Sequence, residues 1–208
     1  MKSEHNKEVR SVALDRKTRR SVTRKLEKLQ DDLFGSVGKS VDPKPLLSRL
    51  YRIVDDYNAA IPREQLKITC RRGCNHCCYI PVEVCLIEAA VIAESCGHQQ
   101  LPLADRTIPV IQERTPCPFL KDGECSVYEV RPLACRMKLS GDDPAMCEPF
   151  EGSHQLVAAQ PAFLHLYSAF VDLSHQYVNQ VYGQVSGEDM FGVGRHAGDI
   201  RQFFPTQR

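Results

Sequence analysis

Residues 70–78 read Cys70-Arg71-Arg72-Gly73-Cys74-Asn75-His76-Cys77-Cys78, and this stretch decides what kind of domain the chain builds. Thiols this dense are not unrelated core side chains, and the adjacent Cys77 and Cys78 suit metal ligands better than independent disulfide partners. Were the stretch a regular helix, its first and last sulfurs would lie ~12 Å apart along the axis at 1.5 Å per residue, too far for one tetrahedral ion. Either Gly73 breaks the segment into a knuckle or the cysteines serve more than one metal. As chain neighbours, Cys77 and Cys78 point in different directions, one toward a first metal and the other toward a second.

Working outward, four more cysteines follow at wider spacing: Cys117, Cys125, Cys135 and Cys147. Thiolate is a soft, charged ligand that zinc takes four at a time, and iron–sulfur clusters use the same donors. The candidate ligands are therefore Cys70, Cys74, Cys77, Cys78, Cys117, Cys125, Cys135 and Cys147, with zinc or iron, or an iron–sulfur cluster, as cofactor. Cys85 and Cys96 complete the ten and read as small buried hydrophobes. The start MKSEHNKEVR lacks an apolar stretch of signal-peptide type, and nothing later is apolar enough to span a membrane. The expectation is a reduced, cytoplasmic protein with a metal ion as partner and no membrane partner.

The fold expected around these thiols is mostly α: an irregular helical domain with cysteine-rich metal-binding loops and one small β-hairpin. Residues 8–34 read as a charged helix and residues 1–40 as a basic N-terminal helical arm, with eleven Lys/Arg against six Asp/Glu. The helical cysteine-cluster domain spans 41–182. Its first helix is capped by Asp42 and has Pro43 in its first turn, with an apolar face of Leu46, Leu47, Leu50, Tyr51, Val54 and Tyr57. Pro81–Ser95 reads as a further helix ended by Gly97, with Glu88 and Glu94 facing water. Asp122-Gly123 predicts a hairpin within 117–128. A two-residue turn there pairs Leu120 with Cys125 and leaves Cys117 on the other side. A turn one residue longer pairs Phe119 with Cys125 and is expected if Cys117 and Cys125 share a metal. A last helix covers about 156–182, and residues 183–208 read as a loose, Gly-rich tail.

At this point the residues resemble a known family. Cys70 to Cys78 with Pro81-Val82 and Glu88-Ala89-Ala90, then Cys117-Pro118-Phe119-Leu120, Gly123, Cys125-Ser126-Val127-Tyr128, Arg131-Pro132 and Cys135-Arg136, look like the YkgJ-type cysteine cluster proteins, the C-x-x-C-x-x-C-C family. The resemblance covers about 70–136. It implies a zinc- or iron-chelating domain and no particular activity. The gap between Cys70 and Cys74 is three residues, so Cys70 fits the family pattern only loosely.

Other signals in the sequence point elsewhere. Cys70-x3-Cys74-x2-Cys77 is also the spacing of radical S-adenosylmethionine enzymes, and the flagellin lysine methylase is a relative by resemblance. However, His76 stands where those enzymes place an aromatic residue, and the chain lacks the strand–helix alternation of their barrel. Gly35-Ser-Val-Gly-Lys39-Ser40 is not a phosphate loop, because Leu33 occupies the required glycine position. His76, His165 and His175 read as ordinary loop and helix residues. Arg131 and Arg136, beside Cys135, read as charge compensators for a thiolate centre. The main expectation is a structural or regulatory metal centre. The alternatives are an iron-dependent or iron–sulfur enzyme, and a nucleic-acid-binding metalloprotein using Arg16, Lys17, Arg19, Arg20, Arg24, Lys25 and Lys28.

Overall fold

The computed structural model describes residues 10–11, 15–35, 39, 42–102, 115–141, 143–147, 157–158, 162–183 and 196–204. Helix α1 (Arg16–Phe34) starts later than expected because Asp15 caps it, accepting from the Lys17 and Thr18 amides. The preceding Arg10–Ser11 is a short strand, β1. Helix α2 (Lys44–Ala59) follows, and Asp42 accepts from the Lys44 amide. Strand β2 (Glu83–Cys85) runs directly into helix α3 (Leu86–Cys96), so the helix expected from Pro81 is strand in its first part. It ends at Gly97, which is left-handed (φ +66°). Strands β3 (Leu120–Lys121) and β4 (Glu124–Cys125) form the hairpin, and helix α4 (Leu133–Met137) carries Cys135. Strand β5 (Val157–Ala158), helix α5 (Ala162–Tyr182), strand β6 (Ala197–Asp199) and helix α6 (Ile200–Phe203) complete the order.

The strands form three two-stranded pairs: β1 with β5 in parallel, and β2 with β6 and β3 with β4 antiparallel. No parallel α/β barrel is present among the described residues. No helix of the described residues is long and apolar enough to cross a membrane.

Two hydrophobic clusters meet at α3. Val22, Leu26, Leu29 and Leu33 of α1 pack with Leu47, Leu50, Val54 and Tyr57 of α2, Leu166 and Leu173 of α5, and Ile87 and Val91 of α3. The other side of α3 (Leu86, Ala89, Ile92) joins Val82, Val84, Phe119, Val178, Ile200, Phe203 and Phe204. Residues 86–92 of α3 are covered on both sides and have no water face, which corrects the expectation for Glu88: it is 1% exposed. Glu94 keeps its expected exposure and bridges to Lys44.

Two further expectations change. The region after Gly183 is not loose at 196–204, where β6 pairs with β2 and Phe203 and Phe204 are buried. Gly198 shows why a glycine there is misread: a Cβ would lie 1.8 Å from Gln202 Oε1, so the residue permits close approach rather than mobility. Gly187, Gly192 and Gly194 lie outside the described residues. The hairpin uses the two-residue turn, with Asp122 (φ +50°) and Gly123 (φ +80°) both left-handed and Leu120 opposite Cys125. The alternation argument does not reach Cys117, because the chain turns before the strand and the Leu120 amide bonds to the Cys117 carbonyl at 3.0 Å.

Candidate metal centre

The cysteine loops are built from tight local turns. Gly73 (φ +84°) breaks 70–78 as a knuckle, with the Cys74 amide on the Arg71 carbonyl at 3.1 Å. A 3-10 turn at His76–Tyr79 then presents Cys77 and Cys78, and a second at Pro144–Cys147 packs beside it. Loop crosses to loop through the backbone: the Cys117 amide donates to the Cys78 carbonyl at 2.7 Å. Asn75 Nδ2 donates to the Gly123 carbonyl at 2.8 Å, tying the knuckle to the hairpin turn.

Ser140, fully buried, joins two distant thiols. Its amide donates to Cys70 Sγ at 3.1 Å, and its side chain hydrogen-bonds Cys147. Burial raises the Cys70 thiol pKa against this help, and the nearby thiols of Cys147, Cys77 and Cys74 raise it further. Cys147 is raised by burial and by Cys77 and Cys74, with Ser140 and Lys138 opposing. A second neighbourhood involves the wider-spaced cysteines. Burial pushes Cys117 up to about 11, with Cys125 adding to the shift. Burial lifts Cys135 well above the ordinary thiol range, and Cys77, Cys117 and Cys125 add to it. Cys125 is raised by burial and by Cys77, while Arg131 and Arg72 oppose.

Cys77 sits between the two neighbourhoods. The hydrogen bond from the Cys78 thiol lowers it to about 6 and raises Cys78 correspondingly, and Lys138 and His76 help to hold the Cys77 thiolate. Among the described residues, no three His, Cys, Asp or Glu side chains are drawn together closely enough to hold a metal ion. The thiols are near enough to feel one another's charge without forming a finished coordination shell. In donor chemistry the set fits a soft divalent metal: thiols partly shielded from water, with cationic groups beside them to offset thiolate charge.

Cys85 and Cys96 stand apart. Cys85 caps α3: its sulfur accepts from the Glu88 amide, and Ser174 Oγ donates to it at 3.2 Å. It is thus more than a small hydrophobe. Cys96 donates back to the Ile92 carbonyl within α3.

Arg136 does not face the thiolates as expected. It is 3% exposed, pairs with Asp55, donates to the Glu129 and Arg131 carbonyls, and stacks over Tyr51 with its guanidinium 4.2 Å from the ring centroid. Neighbouring residues on a helix point about 100° apart, so Cys135 and Arg136 of α4 cannot both face the cluster.

Two residues that sequence reasoning misassigned or overlooked organise the site. Arg201 of α6 donates to the carbonyls of Thr115 (2.7 Å), Pro116 (3.2 Å), Cys78 and Ile80 (both 3.4 Å) and pairs with Asp199 at 3.0 Å. Both cysteine loops therefore hang on one guanidinium, whose charge also lowers Cys117. The Glu88 carboxylate accepts from Tyr51 Oη (2.8 Å), the Leu133 amide (2.7 Å) and the Cys85 amide (3.1 Å). It satisfies an otherwise orphaned amide in the first turn of α4, the helix bearing Cys135.

Residues 69–154 match the family model CxxCxxCC, whose description is "Putative zinc- or iron-chelating domain". The matched segment is less than half of the chain and includes all eight candidate cysteines. Over residues 69–154 the chain is thus similar to cysteine cluster domains of that description, in agreement with the resemblance drawn from the motifs. No curated protein and no solved structure matches the chain.

Proposed function

We propose that the eight cysteines hold two four-thiolate metal centres, of zinc or iron, whose role is to fix the cysteine loops onto the helical core. Cys70, Cys74, Cys77 and Cys147 form one centre; Cys78, Cys117, Cys125 and Cys135 form the other. The observation that carries this division is Ser140, which tethers Cys70 and Cys147 together at one side, while Cys117 is hydrogen-bonded to the backbone of Cys78 at the other. Cys77 and Cys78 go to separate ions, their mutual hydrogen bond giving way on metal binding, which also resolves the reach problem of a single ion over 70–78.

A divalent ion with four thiolates carries a formal charge of about −2. Lys138 lies beside the first set, and Arg201, Arg131 and Arg72 beside the second. A site made wholly of thiolates leaves no open position for substrate, which favours a structural role. Because each ion would join loops far apart in the chain, its binding energy would appear largely as folding energy.

Protein purified without oxygen, analysed for metal and sulfide and by absorption spectroscopy, tests the proposal. The expected result is two ions per chain and no acid-labile sulfide. A brown protein with stoichiometric sulfide would replace this reading with an iron–sulfur one.

A further inference from the structure

We infer that the exposed face of α1 binds the phosphate backbone of a nucleic-acid duplex. Over residues 16–25 the helix carries Arg16, Lys17, Arg19, Arg20, Arg24 and Lys25 with no acidic residue. Arg16, Arg20, Arg24 and Lys28 follow one another at four-residue spacing, a ridge of cations about 6 Å apart and about 18 Å long. That length spans roughly five base-pair steps of duplex axis at 3.4 Å each.

The ridge and Lys17 lie opposite the stripe of Val22, Leu26, Leu29 and Leu33, and that stripe is buried to 3% exposure or less in the core. The cations are therefore fixed on a packed helix, facing out. Across a shallow cleft the ridge faces Arg49 and Arg52 of α2, together with Asp55 and Asp56, which make the cleft itself mixed in charge. Lys25 and Arg49 are engaged by Asp56 and Asp32. Among the described residues Arg16, Lys17, Arg20, Arg24, Lys28 and Arg52 make no ion pair. Glu27 and Asp31 share the ridge face at its C-terminal end and limit the surface there.

Two observations choose the duplex over other polyanions. An interfacial membrane helix must bury its apolar face in lipid, but that face of α1 is already committed to the core. Single-strand binding relies on aromatic stacking, and the exposed face has no aromatic residue before Phe34.

The test is fluorescence anisotropy of the full chain with a labelled 20-base-pair duplex, as DNA and as RNA, across 50–200 mM salt. Vesicles of mixed neutral and anionic phospholipid serve as the competing arm. Four phosphate contacts predict a slope of log K against log salt of about −3.6, or roughly a hundredfold loss over that range. Arg16→Gln/Arg20→Gln/Arg24→Gln should reduce the slope to about −1 without changing thermal stability or metal content, since these side chains are exposed. Glu27→Gln/Asp31→Gln should tighten binding. Absence of duplex binding at 50 mM salt, unchanged binding by the triple variant, or tighter retention on the vesicles than on either duplex would each overturn the inference.

Discussion

Replacing Arg201 by alanine removes a buried guanidinium that bonds the backbone of both cysteine loops. Its guanidinium is 4% exposed and its partner Asp199 is 9% exposed, so the variant strands a carboxylate in a nearly dry place and removes the guanidinium from the carbonyls of Ile80, Thr115, Pro116 and Cys78, the last of which keeps the Cys117 amide. Asp199 keeps other partners, because it accepts from the amides of Val82 and Arg201, which moderates the loss. Breaking a buried ion pair from one side costs about 3–5 kcal/mol, and the freed carbonyls, close to the loop surface, regain water. The expected loss is thus about 4 kcal/mol, a large share of the 5–15 kcal/mol typical of a domain. Urea unfolding of metal-loaded and metal-stripped protein measures it. Stripped Arg201→Ala should be unfolded or nearly so, and loaded Arg201→Ala should fold with weakened metal affinity. Arg201→Lys should recover the charge but not the forked hydrogen bonding, giving an intermediate loss. A loss below about 1 kcal/mol in both forms of Arg201→Ala would refute the idea that this guanidinium holds the loops.

Glu88→Gln presents an amide nitrogen to one of three buried donors and should cost about 1–3 kcal/mol. Burial holds the Glu88 pKa above the ordinary 4.5, so its contribution is full below that value and declines as pH rises through the raised folded value. The stability gap between wild type and Glu88→Gln should therefore narrow as pH rises above 4.5, and a gap that widens contradicts the burial argument. Cys77→Ser and Cys135→Ser should release metal and destabilise the whole domain, whereas Cys85→Ala should keep its metal and lose about 1–2 kcal/mol of capping and packing; elemental analysis showing the reverse pattern would be decisive against the ligand assignment. Burial keeps the thiols of Cys70, Cys117, Cys125, Cys135 and Cys147 protonated at neutral pH without metal. Metal must displace those protons, so affinity should fall more than tenfold per unit as pH drops from 8 to 6, read by competition with a chromophoric chelator. A pH-independent affinity would show that these thiols are not the ligands.

Local signals in the sequence were legible. Asp122-Gly123 marks the hairpin, Gly73 marks the knuckle, and the three- and four-residue spacing of Leu47, Leu50, Tyr51 and Val54 marks α2. Periodicity describes one helix against one core, however, and α3 is packed on two sides, so the pattern puts Glu88 in water although it lies between α2 and α4. Arg201 was invisible for a related reason. The loop carbonyls it bonds precede it by 85 to 123 residues, and it lies beyond both the motifs of 70–136 and the matched segment. The glycines around it read as slack chain, although Gly198 marks a close approach. The apolar pattern starts α1 and α5 earlier than the structure does, because the pairing of Arg10–Ser11 with Val157–Ala158 joins segments nearly 150 residues apart, which no local pattern encodes.

X-ray absorption at the edge of the bound metal tests the central claim most directly. Two four-thiolate centres predict a first shell of four sulfurs at ~2.3 Å with no nitrogen or oxygen ligand. A shell with nitrogen or oxygen donors, or with fewer than four sulfurs per ion, would contradict it.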